Sequence, residues 1–459
     1  MSARVTGGLA RPAAAGAAFL AVAAAVLAVG AGAASAAPLF QLVPNRFAQP
    51  PTTAECEATA GIACYNPAQF HRAYGTSKLY ALGITGRGET IVIVDSYGSP
   101  TIESDLATFD AQNGLPAPPS FNIITPVGTP PPYNGNILDD GGWAIETSLD
   151  VEWAHAMAPG ANILLVETPV DETEGVHGFP SMMAAEKYVI DHHLGDVISQ
   201  SFTATEQTFP SAKAIYALRF AFKDAAAHHI TVLAGSGDAG ATDYEHNLTD
   251  LYPYRVTSWP ASDPLVTAVG GTQLHLDAEG NRTAPDNVWN DTALLGSPAA
   301  GGGGLSTVFT RPFYQDGVSQ IVGDARGVPD ISMSAAVNGG VNVYLGFTSA
   351  AEGITAPGWY IIGGTSEATP LMSAIVSLAD QVAGHPIGQI NPSLYELGDG
   401  PGSGITDITS GNNSVTFTNT NGVTYTVDGF NALPGYDLAS GLGTVSAPRL
   451  VFQLAALSK

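Results

Sequence analysis

Basic residues are scarce in this chain. Lys and Arg total 16 against 41 Asp and Glu, for a net charge of −25. So negative a surface repels nucleic acid and anionic membranes, which sets both aside as partners. The acid excess fits plain solubility and equally fits work at low pH, where protonation relieves self-repulsion. Cysteine is nearly absent. Cys56 and Cys64 cannot build a structural zinc site alone, and in an exported chain they most simply form one disulfide that staples an N-terminal arm. Beyond residue 36 there is no apolar run long enough to cross a bilayer. Histidine in an HGT-type helix start is also missing among the ten histidines. His192-His193 and His228-His229 sit where helices are expected to end, and the helix dipole explains them there. A Ser-His-Asp triad is defined in space rather than in sequence, so it stays open. Charged residues are 12% of the chain against 45% hydrophobic, with 53 Gly and 32 Pro. That is a loop-rich globular composition with ample core, not a disordered one.

The first 36 residues read as a signal peptide. Arg4 and Arg11 form its basic end, Ala13 to Ala34 its apolar run, and Ala34-Ser35-Ala36 a cleavage site. The mature protein is expected to be exported, soluble and monomeric. An N-terminal arm, 37–75, irregular over Pro38 to Pro51, is expected to hold the Cys56–Cys64 loop; Pro67 to Tyr80 has helical spacing, and 76–459 is expected to form one large domain. Strands are expected at Ile91 to Val94, Ala161 to Glu167, Val197 to Phe202, Ile230 to Ala234, Pro264 to Val269 and Val341 to Leu345. Helices are expected at Asp105 to Gln112, Trp143 to Met157, Met182 to His193 and Ser211 to His228. Their alternation predicts an α/β fold with a parallel sheet and helices on both faces.

Four places carry chemistry. In WYIIGGTSEATPLMSAIVSLAD a buried strand breaks at Gly363-Gly364, and Ser366 stands at the mouth of a helix, with Pro370 expected in its first turn. Free N–H groups and the dipole there favour developing negative charge. A serine before a helix is also an ordinary cap. Glu146 and Asp150 lie four apart on one helix face among apolar neighbours, with no basic partner. They are either two surface acids of an acidic protein or a semi-buried pair sharing a proton, with Glu146 as base to Ser366 and Asp150 orienting it. Asp238, in LAGSGDAGAT just past a strand end, is either a turn former or a protonated donor to an oxyanion. Asp407 and Asp437, with turn carbonyls nearby, offer hard oxygens suited to calcium, although aspartate is common in turns. Asp95, which follows the IVIV strand, is read as structural in the absence of a histidine helix.

In order along the chain, ETSLD at 146–150, AGSGDAG around Asp238, SWPASDPLVTAVGGT, GGGLSTVFTRPFYQ, RGVPDIS, GGTSEATP around Ser366, and DITSG with GYDLASGLG resemble the sedolisin family of serine-carboxyl peptidases. The resemblance runs from about Tyr74 to Leu454. It implies a subtilisin-like α/β fold in a single large catalytic domain. Ser366 would be the nucleophile, Glu146 the general base, Asp150 its partner and Asp238 the oxyanion donor. One structural calcium would be held by Asp407, Ile408, Leu433, Gly435 and Asp437. The implied activity is peptidase action on proteins or peptides at acidic pH. Three departures accompany it: position 433 is Leu where glycine is usual, only a short arm precedes the first core strand, and the strand Val197 to Phe202 runs into Thr203 instead of an aromatic-glycine or glycine-rich segment. Two other readings stand beside the peptidase: a non-catalytic, calcium-stabilised exported binding protein on the same fold, and a histidine-based subtilisin-like hydrolase.

Overall fold

The structure, a computed structural model, describes Met1 and residues 40–173, 177–398 and 400–458. The expected signal peptide falls largely outside the described residues. Residues Ser35–Lys459 form one compact unit. Among the described residues its central sheet has eight strands. Across the sheet they run Asn287–Val288, Thr267–Gln273, Thr231–Gly235, Val197–Gln200, Thr90–Ser96, Asn162–Thr168 and Phe121–Ile124, with Ile331–Ser334 also pairing Thr267–Gln273. All neighbours are parallel except Asn287–Val288.

Side chains alternate across a strand, and here both faces are apolar. Ile91, Ile93, Ile163, Leu165 and Leu233 point to one layer, with Ile145, Leu149 and Trp153 of helix Leu138–Met157 and Leu371, Met372 and Ile375 of helix Thr365–Ala383. Val92, Val94, Leu164, Val166, Ile198 and Val232 point to the other, with Met182, Val189 and Ile190 of helix Phe179–Asp191 and Phe222 of helix Phe220–Ala227. This is the expected α/β sheet covered on both faces. The helices carrying Glu146 and Ser366 pack against each other on the same face.

Four details differ from the sequence reading. The arm is not irregular throughout: Gln41–Phe47 is a strand, antiparallel to Gly358–Gly363. Pro44 hid it, and the strand tolerates that proline because it lies at a sheet edge beside a register shift. The stretch Ser211 to His228 holds two helices, Ala212–Leu218 and Phe220–Ala227. The break is at Arg219, whose guanidinium makes two hydrogen bonds to buried Asp263, at 2.6 and 2.8 Å. Helix Leu138–Met157 begins a turn earlier than expected, through Gly141-Gly142, two poor helix formers. Pro370 lies inside helix Thr365–Ala383, as its sixth residue, not in the first turn. Its missing N–H leaves the Ser366 carbonyl without its helical partner. Cys56 and Cys64 form the expected disulfide.

Candidate active site

The nucleophile candidate owes its position to two glycines. Strand Gly358–Gly363 is fully buried, and Gly364 then turns with φ +123°, a conformation that residues with a Cβ rarely adopt. Gly364 N–H is held by Ala335 O at 2.6 Å, and the helix starts at Thr365. Ser366 is thus the second helical residue, fully buried, with its N–H among those a helix leaves unpaired.

Glu146 reaches the same place from helix Leu138–Met157. It is fully buried, and so is Asp150 one turn on. The Ser366 hydroxyl lies beside the Glu146 carboxyl and favours its charged form, but without closing a hydrogen bond of ordinary geometry. Burial, then the charges of Asp150 and Asp95, push Glu146 well above the usual carboxylate range. Burial, then Asp95, push Asp150 up as well, against a hydrogen bond from Ser201 Oγ at 3.0 Å and the nearness of the Glu146 carboxyl. Three acids in one dry pocket cannot all be charged, so protons are shared among them.

Asp95 is the residue the sequence reading undervalued. It stands at the carboxyl end of strand Thr90–Ser96, in register with Glu167, and acts electrostatically on both Glu146 and Asp150. Burial pushes its carboxyl up to about 7; the Thr147 hydroxyl opposes this and the charge of Glu167 adds to it. The usable signal was its position just past an apolar strand, where parallel sheets place their sites. Ser201 also lies just past a strand, Val197–Gln200, but the expected strand ran on to Phe202 and covered it.

Asp238 arrives from the loop after strand Thr231–Gly235. Its Oδ1 accepts from Thr365 N at 2.8 Å and Thr365 Oγ1 at 2.7 Å, so it caps the nucleophile's helix from across the fold. Its Oδ2 is buried and unpaired. Burial outweighs the Thr365 bonds and pushes the group up to about 8, so it carries a proton through the acid range. The free oxygen is then a donor one residue from Ser366.

Among the described residues no histidine hydrogen-bonds to Ser366, Glu146 or Asp150. His155 Nε2, for example, is 2.8 Å from Pro116 O, and His71 Nε2 is 2.8 Å from Ala156 O. The reading that needs a histidine base therefore has no partner here.

The fourth cluster forms at the other end of the sequence. Gly435 N donates to Asp407 Oδ2 at 2.9 Å, and Leu433 N donates to Asp437 Oδ2 at 2.8 Å. Asp437 Oδ1 accepts from Ala439 N and Ser440 N, each at 2.9 Å. Both aspartates are thus tied to the 433–437 turn, beside buried Ile408, while Leu433 is exposed. Among the described residues no group of three or more His, Cys, Asp or Glu side chains is placed to hold a metal. A cation here would need main-chain carbonyls as well, and an oxygen-only set of that kind suits calcium.

No family model matches the chain. It is 33% identical over 422 residues to kumamolisin of Bacillus sp. (strain MN-32), covering 91% of this chain and 68% of that protein. The chain belongs to the sedolisin family. Sedolisin of Pseudomonas sp. (strain 101) is 29% identical over 390 residues, covering 84% of this chain and 60% of sedolisin. Human tripeptidyl-peptidase 1 is 30% identical over 324 residues, or 67% of this chain and 51% of that protein. The chain thus spans from about half to two thirds of the length of these relatives. A solved structure of Pseudomonas sedolisin, a serine-carboxyl proteinase complexed with two molecules of pseudo-iodotyrostatin, matches with a TM-score of 0.69 and 26% identity. That match covers 87% of this chain and all of the solved one. Family membership makes the chain a serine-type peptidase, with peptides or proteins as substrates. Among the described residues no helix is long and apolar enough to cross a membrane.

Proposed function

We propose that this chain hydrolyses peptide bonds at acidic pH through Ser366, Glu146, Asp150 and Asp238. The observation that carries the reading is the Glu146 carboxyl, fully buried between the Ser366 hydroxyl and Asp150. Ser366 Oγ attacks the scissile carbonyl carbon while its proton passes to Glu146, in the form of the Glu146–Asp150–Asp95 set whose one remaining negative charge lies on Glu146. The tetrahedral oxyanion accepts a hydrogen bond from the Asp238 Oδ2 hydroxyl. The C–N bond then breaks, and Glu146 returns its proton to the leaving amine. Water releases the acyl group by the same steps with roles repeated. Asp150, held by Ser201, orients Glu146.

The test is a pH profile of peptide hydrolysis from about pH 2 to 9. Activity should lie on the acid side and vanish in Ser366→Ala. A maximum near or above neutrality that survives this substitution would refute the reading. Asp238→Ala should lower turnover by about 10² to 10³. Asp238→Asn should retain more activity than Asp238→Ala, because an amide can accept from Thr365 and still donate. Equal losses in the two variants would count against the donor role.

One structural calcium at Asp407 and Asp437, with the carbonyls of Ile408, Leu433 and Gly435, belongs to the same proposal, as do export and a monomeric state. A ligand held by the folded state alone raises stability by mass action. Chelation should therefore lower the melting temperature by several degrees, and added calcium should restore it. An unchanged melting temperature would remove the ion from the proposal.

A further inference from the structure

We propose that a cleft beside the acids takes a cationic group of the peptide substrate, an ammonium or a guanidinium. This rests on the peptidase reading above and adds a substrate class to it. The cleft has a volume of about 280 Å³ and is lined by Tyr97, Ser99, Pro131, Tyr133, Asp140 and Glu167, among others. It opens at the end of the sheet that carries Asp95: Tyr97 is two residues beyond that acid. Asp140 precedes Glu146 by six residues on the same helix, about 9 Å along its axis.

The lining is built at some conformational cost. Tyr97 holds φ +58°, an uncommon state for a residue with a bulky side chain. At Gly98, φ +75°, a Cβ would fall 1.9 Å from Glu167 Oε1, so glycine lets that carboxyl come up against the loop. Ser99 is 8% exposed and its hydroxyl has no hydrogen-bond partner, although it lines the cleft. Burial alone pushes Glu167 up to about 7, with no donor or cation near enough to hold it down. Among the described residues no lysine or arginine forms an ion pair with Asp140, Glu167 or the neighbouring Asp139 and Asp171. Asp140 Oδ2 accepts from Asn134 N at 2.9 Å, and the Tyr133 hydroxyl donates to Thr348 O at 2.9 Å. Two carboxyls without a basic partner, two phenol rings and an unpaired hydroxyl around one concavity are acceptors and π faces suited to a cation. An apolar substrate side chain would leave the Glu167 carboxyl and the Ser99 hydroxyl unmatched.

The cation has two sources in a peptide: a lysine or arginine side chain, or the α-ammonium at the N-terminus. Binding to the full chain carrying Ser366→Ala is measured at pH 7.5, above the value to which burial pushes Glu167. Four peptides of one length are compared: acetylated with lysine, acetylated with arginine, acetylated with norleucine, and the norleucine peptide with a free amine. A cationic peptide should bind at least ten times more tightly than acetylated norleucine, and the peptides that gain identify the source. Glu167→Gln, and separately Asp140→Asn, should erase the gain while leaving the norleucine affinity unchanged. Equal affinities would overturn the inference. So would a gain that persists in both variants, because it would then come from the net negative charge at large. Since binding is read without turnover, an inactive wild-type chain would refute the peptidase reading and leave this result to stand or fall separately.

Discussion

Glu146→Gln should reduce peptide hydrolysis by about 10⁴ or more, the scale seen when one member of a catalytic set that acts as a unit is removed. The amide fills the same space beside Ser366 and Asp150 but cannot take the serine proton, so the loss falls on the chemical step. The fold should not suffer. Glu146 is fully buried beside two other acids, and its burial already disfavours charge. A neutral amide removes one acid from a buried set whose members disfavour each other's charge, so at pH 7 the melting temperature should stay level or rise. The variant is assayed for turnover across the acid range and for thermal unfolding at pH 7. Turnover within tenfold of the parent would sink the base assignment. A lowered melting temperature would mean that the loss of activity came from misfolding.

The protein should also be most stable in acid and lose stability as the solution becomes neutral, the reverse of most globular proteins. Burial raises Asp95 to about 7 and Glu186 and Asp238 to about 8. It also pushes Glu146, Asp150, Glu152, Glu367 and Asp380 well above the normal range. Below about pH 4 these groups are protonated in both folded and unfolded chains and contribute nothing. Above that, the unfolded chain ionises them more readily than the folded chain, so stability falls as pH rises through the raised values, which for Asp95, Glu186 and Asp238 lie at about 7, 8 and 8. The acids shifted the other way, Glu55, Asp191, Asp250 and Asp277, are solvent-exposed and weakly placed to compensate. One unit of raised pKa forfeits about 1.4 kcal/mol, so several such groups should lower the melting temperature by on the order of 10 °C between pH 4 and pH 8. Net charge −25 pushes in the same direction. A melting temperature that rises over this range would show that these acids ionise freely inside the fold.

Much of this was legible in the residues because burial on both faces leaves continuous apolar runs. IVIV and NILLV could hardly be anything but core strands. The site was legible where polar residues interrupted such runs without basic partners, as at Glu146 and Asp150. What escaped had local sequence at odds with its place in the fold. The hairpin Val415–Thr418 and Thr424–Val427 is not among the expected strands because its outer face is threonine, and those threonines pair across the strands at 3.0 and 2.9 Å. Pro370 suggested a first turn because a proline deeper in a helix is unfavourable unless tertiary packing holds it. Asp95 looked structural because no histidine helix accompanied it, and the acids it does act on, Glu146 and Asp150, lie more than fifty residues away in sequence.

The pairing of Gln41 with Gly363 bears on how the chain is made. During synthesis, Gln41–Phe47 must wait, unpaired, until the ribosome has passed residue 363. Helix Leu138–Met157 and its acids are made long before that. The turn that presents Ser366 is not, because the strand leading into it, Gly358–Gly363, is paired with Gly340–Leu345 and Gln41–Phe47 and lies far along the chain. On the proposed mechanism, a chain that stops short of residue 366 holds Glu146 without Ser366, and should be inert towards the proteins around it.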